Sequence, residues 1–236
     1  MGDPNVVGNL PRLIAFDLDG TLIDSCRDLA ESANELIVEM GGTSLSEDAI
    51  SRMVGGGAAL LVRRALDAAG LDHPPSAVTR FLEIYDTRLL NHTRVYDGIP
   101  DVLHLAGRHA RLAVLTNKPI RPSERLLEEL GLRDLFDDVI GGDGPYPRKP
   151  EPDGLLAMMA SAGATGERTL LVGDSGVDHE TARRASARSC IVSYGFGFRT
   201  FPRERLAERD YVVDDARALA EVIGQFIAPP VEGRAS

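Results

Sequence analysis

Residues Leu13-Ile14-Ala15-Phe16 form an apolar run of strand character that stops at two carboxylates, Asp17 and Asp19, and then meets the turn signal Gly20-Thr21. In an extended chain, residues two apart project to the same side, so the two carboxylates are expected to share one small volume. Charges held that close repel unless a cation neutralises them or a proton is shared. A folding chain has no structural reason to build this pair at a strand end. It marks a metal-assisted or acid–base site. The simpler reading, in which Asp17 caps the next helix and Asp19-Gly20 only turns the chain, accounts for the local string but not for the later strand ends.

Beyond this strand the periodicity changes twice. From Arg27 to Thr93 it is helical, with one apolar stripe at Leu29, Ala33, Leu36, Ile37 and Met40 closed by Gly41-Gly42. Val62, Ala65, Leu66 and Ala69 make a second stripe, and Val78, Phe81, Leu82, Tyr85 and Leu89 a third. From Arg111 onward, short apolar strands alternate with helices: Leu112–Leu115, Val139-Ile140, Thr169–Val172, Ile191-Val192 and Tyr211–Val213. Strands that are apolar throughout and separated by helices imply a parallel sheet covered on both faces. The expected fold is α/β, a parallel-sheet core over residues 10–26 and 94–228 with an all-helical insert over 27–93. Residues 1–9 and 229–236 read as loose tails.

The chain has 236 residues, enough for a substantial core. Its 26 Lys+Arg against 36 Asp+Glu give a net charge of -10, which argues against a nucleic-acid surface. Cys26 and Cys190 have no framework spacing, which suits a reducing compartment. No signal-like segment and no span long enough for a bilayer is found, so no membrane partner is expected and the cytoplasm is the default.

Open parallel sheets bind ligands at the carboxyl ends of their strands. There the sequence places Asp17-x-Asp19, then Thr116-Asn117-Lys118-Pro119, then Arg148-Lys149-Pro150 before a helix, and finally Gly173-Asp174-Ser175-Gly176-Val177-Asp178. Carboxylate oxygens suit magnesium, and magnesium favours phosphate oxygens. A hydroxyl, an amide, an ammonium and helix-start N–H groups suit a phosphoryl group. Each piece has a plain alternative as a helix cap, a turn or a solvated lysine. Their joint placement at successive strand ends points to phosphoryl chemistry on a divalent ion.

The order DLDGT, TN, KP and GDSxxD resembles the four signature motifs of the haloacid-dehalogenase-like superfamily. The insert is similar to that superfamily's helical cap, over a Rossmann-like core. Within the superfamily, DLDGTLIDS, LAVLTNKP, RKPEPDGLL and VGDSGVD look most like the phosphoglycolate phosphatases, as does the cap segment Met53–Ala58. The resemblance implies that Asp17 is a nucleophile forming an aspartyl-phosphate, and that Asp19 is the acid–base partner. It implies further that Thr116 and Asn117 hold the phosphoryl group and that Lys149 offsets its charge. Magnesium is then held by Asp17, the backbone carbonyl of Asp19 and Asp174, with Asp178 supporting. Gly20, Thr21, Gly55, Gly56 and Gly57 are candidate substrate-binding positions, the last three also readable as a loop before a helix at Ala58. Arg52, Arg63, Arg64 and His92 are candidates for a substrate carboxylate, each also readable as a solvated charge.

The expected substrate is a small phosphorylated metabolite, 2-phosphoglycolate first, handled by a monomer or homodimer. Sugar-phosphate phosphatases, pyrophosphatases, nucleotidases and β-phosphoglucomutases share these motifs and stay as alternatives. Asp19 argues against dehalogenation, and Thr21 leans toward a phosphatase over a mutase. A receiver-type signalling domain would lack both the second aspartate and the insert, and no nucleotide-binding glycine loop is present. One departure is Ser186, where the family's helix after the fourth motif often ends in Ala-Gly.

Overall fold

The structure, a computed structural model, describes residues 11–201, 203–207 and 209–228. The expected tails, 1–9 and 229–236, lie outside the described residues. Strand β1 (Leu13–Phe16) is followed by a tight loop, a two-residue strand β2 (Ile23–Asp24), and the helices α1 (Cys26–Glu39), α2 (Glu47–Ser51), α3 (Ala58–Ala69) and α4 (Ala77–Arg88). Strand β3 (Arg94–Val95) then pairs antiparallel with β2, Ile23 opposite Val95 and Asp24 opposite Arg94. The remainder is α5 (Ile99–Gly107), β4 (Arg111–Leu115), α6 (Ile120–Glu129), β5 (Asp138–Ile140), α7 (Asp153–Ala162), β6 (Thr169–Gly173), α8 (Gly176–Arg184), β7 (Arg188–Val192), β8 (Tyr211–Val213) and α9 (Ala216–Ile227).

The main sheet has the order β5-β4-β1-β6-β7-β8, and every pairing in it is parallel. Alternation along each strand sorts its residues onto two faces. Ile14, Phe16, Leu112, Val114, Leu170 and Val172 pack into one core with α5 and α9, whereas Leu13, Ala15, Ala113, Leu115 and Leu171 pack into the other with α7 and α8. All four residues of β1 are buried, as expected for the central strand of a doubly covered sheet. Phe16 stands opposite both Val114 and Val172. That register sets the carboxyl ends of the three central strands level, so Asp17, Thr116 and Asp174 come together.

The helices between β2 and β3 bury the stripes read from the sequence: Leu29, Ala33, Leu36 and Ile37 of α1, Val62, Ala65 and Leu66 of α3, and Phe81 and Tyr85 of α4. Asp28, wholly buried in the first turn of α1, accepts the main-chain N–H groups of His92 (2.9 Å) and Thr93 (2.8 Å) and the Thr93 hydroxyl (2.7 Å). A buried carboxylate is tolerable when it is satisfied this fully. It holds the returning chain against the departing helix. No helix among the described residues is long and apolar enough to cross a membrane.

Candidate active site

Asp17 continues β1 by one residue, its N–H donating to the Val172 carbonyl at 2.8 Å. Its side chain is buried, with Oδ1 2.9 Å from Lys149 Nζ. Lys149, joined to Pro150 by a cis peptide bond, reaches Asp178 Oδ1 at 2.6 Å as well. The other Asp178 oxygen accepts the Ser175 N–H at 3.1 Å and the Ser175 hydroxyl at 2.6 Å, which closes the first turn of α8. Both Asp178 oxygens are thus in use, and its carboxylate buttresses Lys149 and the helix start.

Asp174, directly after β6, lies in a glycine cradle. A Cβ on Gly20 (φ 84°) would come within 2.0 Å of Asp174 Oδ2, and one on Gly195 within 2.3 Å of the Asp174 Cβ. The Gly197 N–H donates to Asp174 Oδ2 at 2.8 Å. Asp17, Asp174 and Asp178 each offer an oxygen within 4.8 Å of the others. Burial, with Asp178 and Asp17 nearby, holds the Asp174 carboxyl well above the ordinary range. Burial also lifts Asp17 to about 6, against the pull of Lys149. Burial by itself would lower the Lys149 ammonium, but Asp17 and Asp178 outweigh it and the net shift is upward.

Asp19 points elsewhere. It accepts the Ser25 hydroxyl at 2.6 Å, and both its oxygens lie 3.1 Å from Lys118 Nζ. Lys118 also donates to the Tyr85 hydroxyl of α4 at 2.7 Å. The two aspartates therefore share a strand end but have separate ammonium partners. Four carboxylates, Asp17, Asp19, Asp174 and Asp178, surround two ammoniums, Lys118 and Lys149. The excess of two negative charges is what one divalent cation would cancel, and an all-oxygen donor set suits a hard cation. The residues present fit magnesium.

Thr116 and Asn117 sit at the end of β4, both buried. The Thr116 oxygen accepts the Lys118 N–H at 3.2 Å, which leaves its own proton to donate. Asn117 Nδ2 donates to the Gly55 carbonyl at 2.9 Å and the Lys149 carbonyl at 3.0 Å, and its Oδ1 is buried without a partner. Asn117 thus has no side-chain donor to spare for a phosphoryl group, and what it has for that purpose is its main-chain N–H.

A cavity of about 40 Å³ lies between the insert and the strand ends, with Asp17, Asp19, Thr116, Asn117 and Lys118 on its polar side. Gly55 and Gly57 line it, whereas Gly20, Thr21 and Gly56 do not. Gly57 (φ 87°) passes so close to the core that a Cβ would sit 2.9 Å from the Asn117 carbonyl, so the glycine run seats backbone against the strand end. Thr21 is fully buried with an unpartnered hydroxyl, and its carbonyl accepts from Tyr194 at 3.0 Å. Arg52, Arg63, Arg64 and His92 are exposed and outside this cavity, with Arg52 paired to Asp48 at 2.9 Å and Arg64 bonded to the Met53 carbonyl at 3.1 Å. They behave as solvated charges.

Sequence reasoning assigned no catalytic or binding role to Lys118, Tyr85, Ser25, Gly195 or Gly197. Lys118 stands within a quoted strand end, so its proximity was readable. Tyr85 sits in a helical apolar stripe and carries no signal of its own. Gly195 and Gly197, spaced two apart just beyond β7, are the kind of strand-end glycine pair that can indicate close approach.

A family model described as haloacid dehalogenase-like hydrolase matches residues 14–192. A phosphoglycolate phosphatase of Rhodospirillum rubrum is 40% identical over 226 residues, covering 91% of this chain and 92% of its own. One of Pseudomonas putida is 38% identical over 221 residues, covering 90% and 79%. The crystal structure of a predicted phosphoglycolate phosphatase of Haemophilus somnus matches with a TM-score of 0.82 at 27% identity, covering 91% of this chain and 98% of that one. With its four motifs gathered at one sheet edge beneath a helical insert, the chain belongs to the haloacid dehalogenase-like hydrolases and is most like their phosphoglycolate phosphatases.

Proposed function

We propose that the protein is a magnesium-dependent phosphatase that hydrolyses 2-phosphoglycolate to glycolate and phosphate through an aspartyl-phosphate on Asp17. The observation that carries this reading is the division of labour between the two aspartates. Both line the cavity, but Asp17 lies in the cluster with Lys149, Asp174 and Asp178, whereas Asp19 is paired with Lys118. Paired carboxylates in different surroundings are what separate nucleophilic and proton-transfer duties require.

An Asp17 oxygen attacks phosphorus as the ester P–O bond breaks, and Asp19 gives its proton to the departing alkoxide oxygen. Asp19 then takes a proton from the water that attacks the phosphorus of the aspartyl-phosphate, which releases phosphate and restores Asp17. The Thr116 hydroxyl and the Asn117 main-chain N–H hold phosphoryl oxygens, and Lys149 offsets their charge. Magnesium would be held by Asp17, Asp174 and the Asp19 carbonyl, with Asp178 supporting through Lys149 and Ser175, and it supplies charge neutralisation when bound. Residues 27–93 act as a cap that shields the reaction from water and selects the substrate.

The test is initial rates of phosphate release, with magnesium and with chelator, for 2-phosphoglycolate beside sugar phosphates, nucleotides and pyrophosphate. A magnesium-dependent rate for 2-phosphoglycolate well above the rest is expected. Preferential turnover of another compound would discard the substrate and keep the mechanism. No release from any of them would overturn the reading.

A further inference from the structure

The cavity under the insert has one cation among its described lining residues, Lys118. Leu29, Val54, Leu61, Phe81 and Leu82 give it apolar walls. The Lys118 side chain is only 4% exposed, and an ammonium in such surroundings has to be explained by what it pairs with. Asp19 is one partner, through both oxygens, and the Tyr85 hydroxyl is another. Tyr85 is itself buried and receives the Lys118 N–H, so its own proton needs an acceptor, and none is found for it among the described residues. The Lys118–Tyr85 pair thus has hydrogen-bond donor capacity left over, beside the cavity.

Neither group is needed for the phosphoryl oxygens, which already have Lys149, Thr116 and the Asn117 N–H. In the reaction, one Asp19 oxygen must turn to the ester oxygen of the substrate, which draws it partly away from Lys118. Lys118 Nζ lies one hydrogen bond from Asp19, so a group carried on the same carbon as the ester oxygen falls within its reach. A group several carbons farther along a sugar does not.

Resting on the phosphatase reading above, we propose that Lys118 and Tyr85 together bind a carboxylate borne on the carbon next to the ester oxygen, which makes them the residues that select 2-phosphoglycolate-type substrates. Lys118 supplies the charge and Tyr85 a neutral donor to the second carboxylate oxygen. The site is contributed jointly by the core, through β4, and by the insert, through α4, so the recognised group is gripped only when the two are together.

The test compares 2-phosphoglycolate with ethyl phosphate, which has the same chain length and no carboxylate, at saturating magnesium. The wild-type protein is measured beside Tyr85→Phe, Lys118→Met and Lys118→Arg. Tyr85→Phe removes one oxygen and keeps the ring stacked on Phe81 at 5.9 Å, so it remains informative if Lys118→Met fails to fold. The ratio of kcat/KM for 2-phosphoglycolate over ethyl phosphate is expected to fall about 10-fold in Tyr85→Phe and about 100-fold in Lys118→Met, mainly through KM. Lys118→Arg should recover part of the ratio. A ratio that stays at the wild-type value while both substrates slow in parallel through kcat would overturn the proposal and leave Lys118 as a positioning residue for Asp19. A wild-type protein that turns over both esters equally would instead remove 2-phosphoglycolate as the substrate, and the proposal with it.

Discussion

The Asn117 side-chain amide reaches the Gly55 carbonyl at 2.9 Å and the Lys149 carbonyl at 3.0 Å, joining the helical insert, the end of β4 and the lysine loop through one residue. Its orientation is fixed, because turning the amide over would set its oxygen against two carbonyls.

Replacing Asn117 therefore tests whether this clasp positions Lys149 and the insert. Asn117→Ala is expected to lower kcat/KM by about 10- to 100-fold, the scale set by misplacing a reacting group by about 1 Å. Asn117→Asp, which puts an acceptor opposite two acceptors, should be worse in both rate and melting temperature. An aspartate variant as active as the wild type would refute the clasp.

Asp17→Asn is expected to abolish turnover, by at least about 10⁴-fold in kcat, with the fold intact. Lys149 keeps Asp178 as a partner in that variant, at 2.6 Å in the structure. Removing a charge that Asp174 and Asp178 repel should leave the melting temperature in chelator unchanged or raised. Substantial residual hydrolysis would show that the nucleophile lies elsewhere.

Proton and cation should compete at the carboxylate cluster. Burial lifts Asp17 from the ordinary 3.8 to about 6, and Asp174 is raised also. The cation-free folded protein thus holds protons that the unfolded chain has released, so this contribution to stability is present below about pH 4 and is lost as pH rises through about 6. Magnesium requires the ionised form. The gain in melting temperature on replacing chelator with about 10 mM magnesium should therefore be larger at about pH 7.5 than at about pH 5. An equal gain at both values, by calorimetry, would count against metal binding at Asp17 and Asp174.

Ser186 follows the end of α8 with φ 55°, a left-handed conformation that a side chain disfavours. Ser186→Gly relieves it and should stabilise the protein by about 0.5–1 kcal/mol in denaturant unfolding, part of the gain being offset by the freer unfolded chain. Activity should not change, since Ser186 does not line the cavity under the insert. A destabilised glycine variant would show that the serine makes a compensating contact.

The strand ends were legible because the chemistry is written in consecutive residues. Asp17 with Asp19, Thr116, Lys149 and Asp174 each follow an apolar run or precede a helix start, and the parallel register brings them level. The insert's main helices were legible from their stripes, but α2, five residues long, is too short to show a period, and so are the two-residue strands β2 and β3. The Lys118–Tyr85 contact was not legible at all. Tyr85 occupies a position where periodicity asks only for an apolar residue, and its partner lies 33 residues away across a tertiary contact. The second bond made by Asn117 was hidden for the same reason, since nothing in a string of residues says which carbonyl an amide will meet.

Because β2 and β3 run side by side, and Asp28 ties the returning chain to the departing helix, the insert leaves and rejoins the sheet through a single narrow neck. The main sheet pairs only β1, β4, β5, β6, β7 and β8 with one another, and the insert meets it just past a strand end, through Asn117 and Lys118. The sheet's register would be the same for a longer, shorter or differently shaped insert, provided the two strands still met. Such an attachment lets a lineage rewrite the insert's share of the cavity while the residues at the strand ends stay where they are.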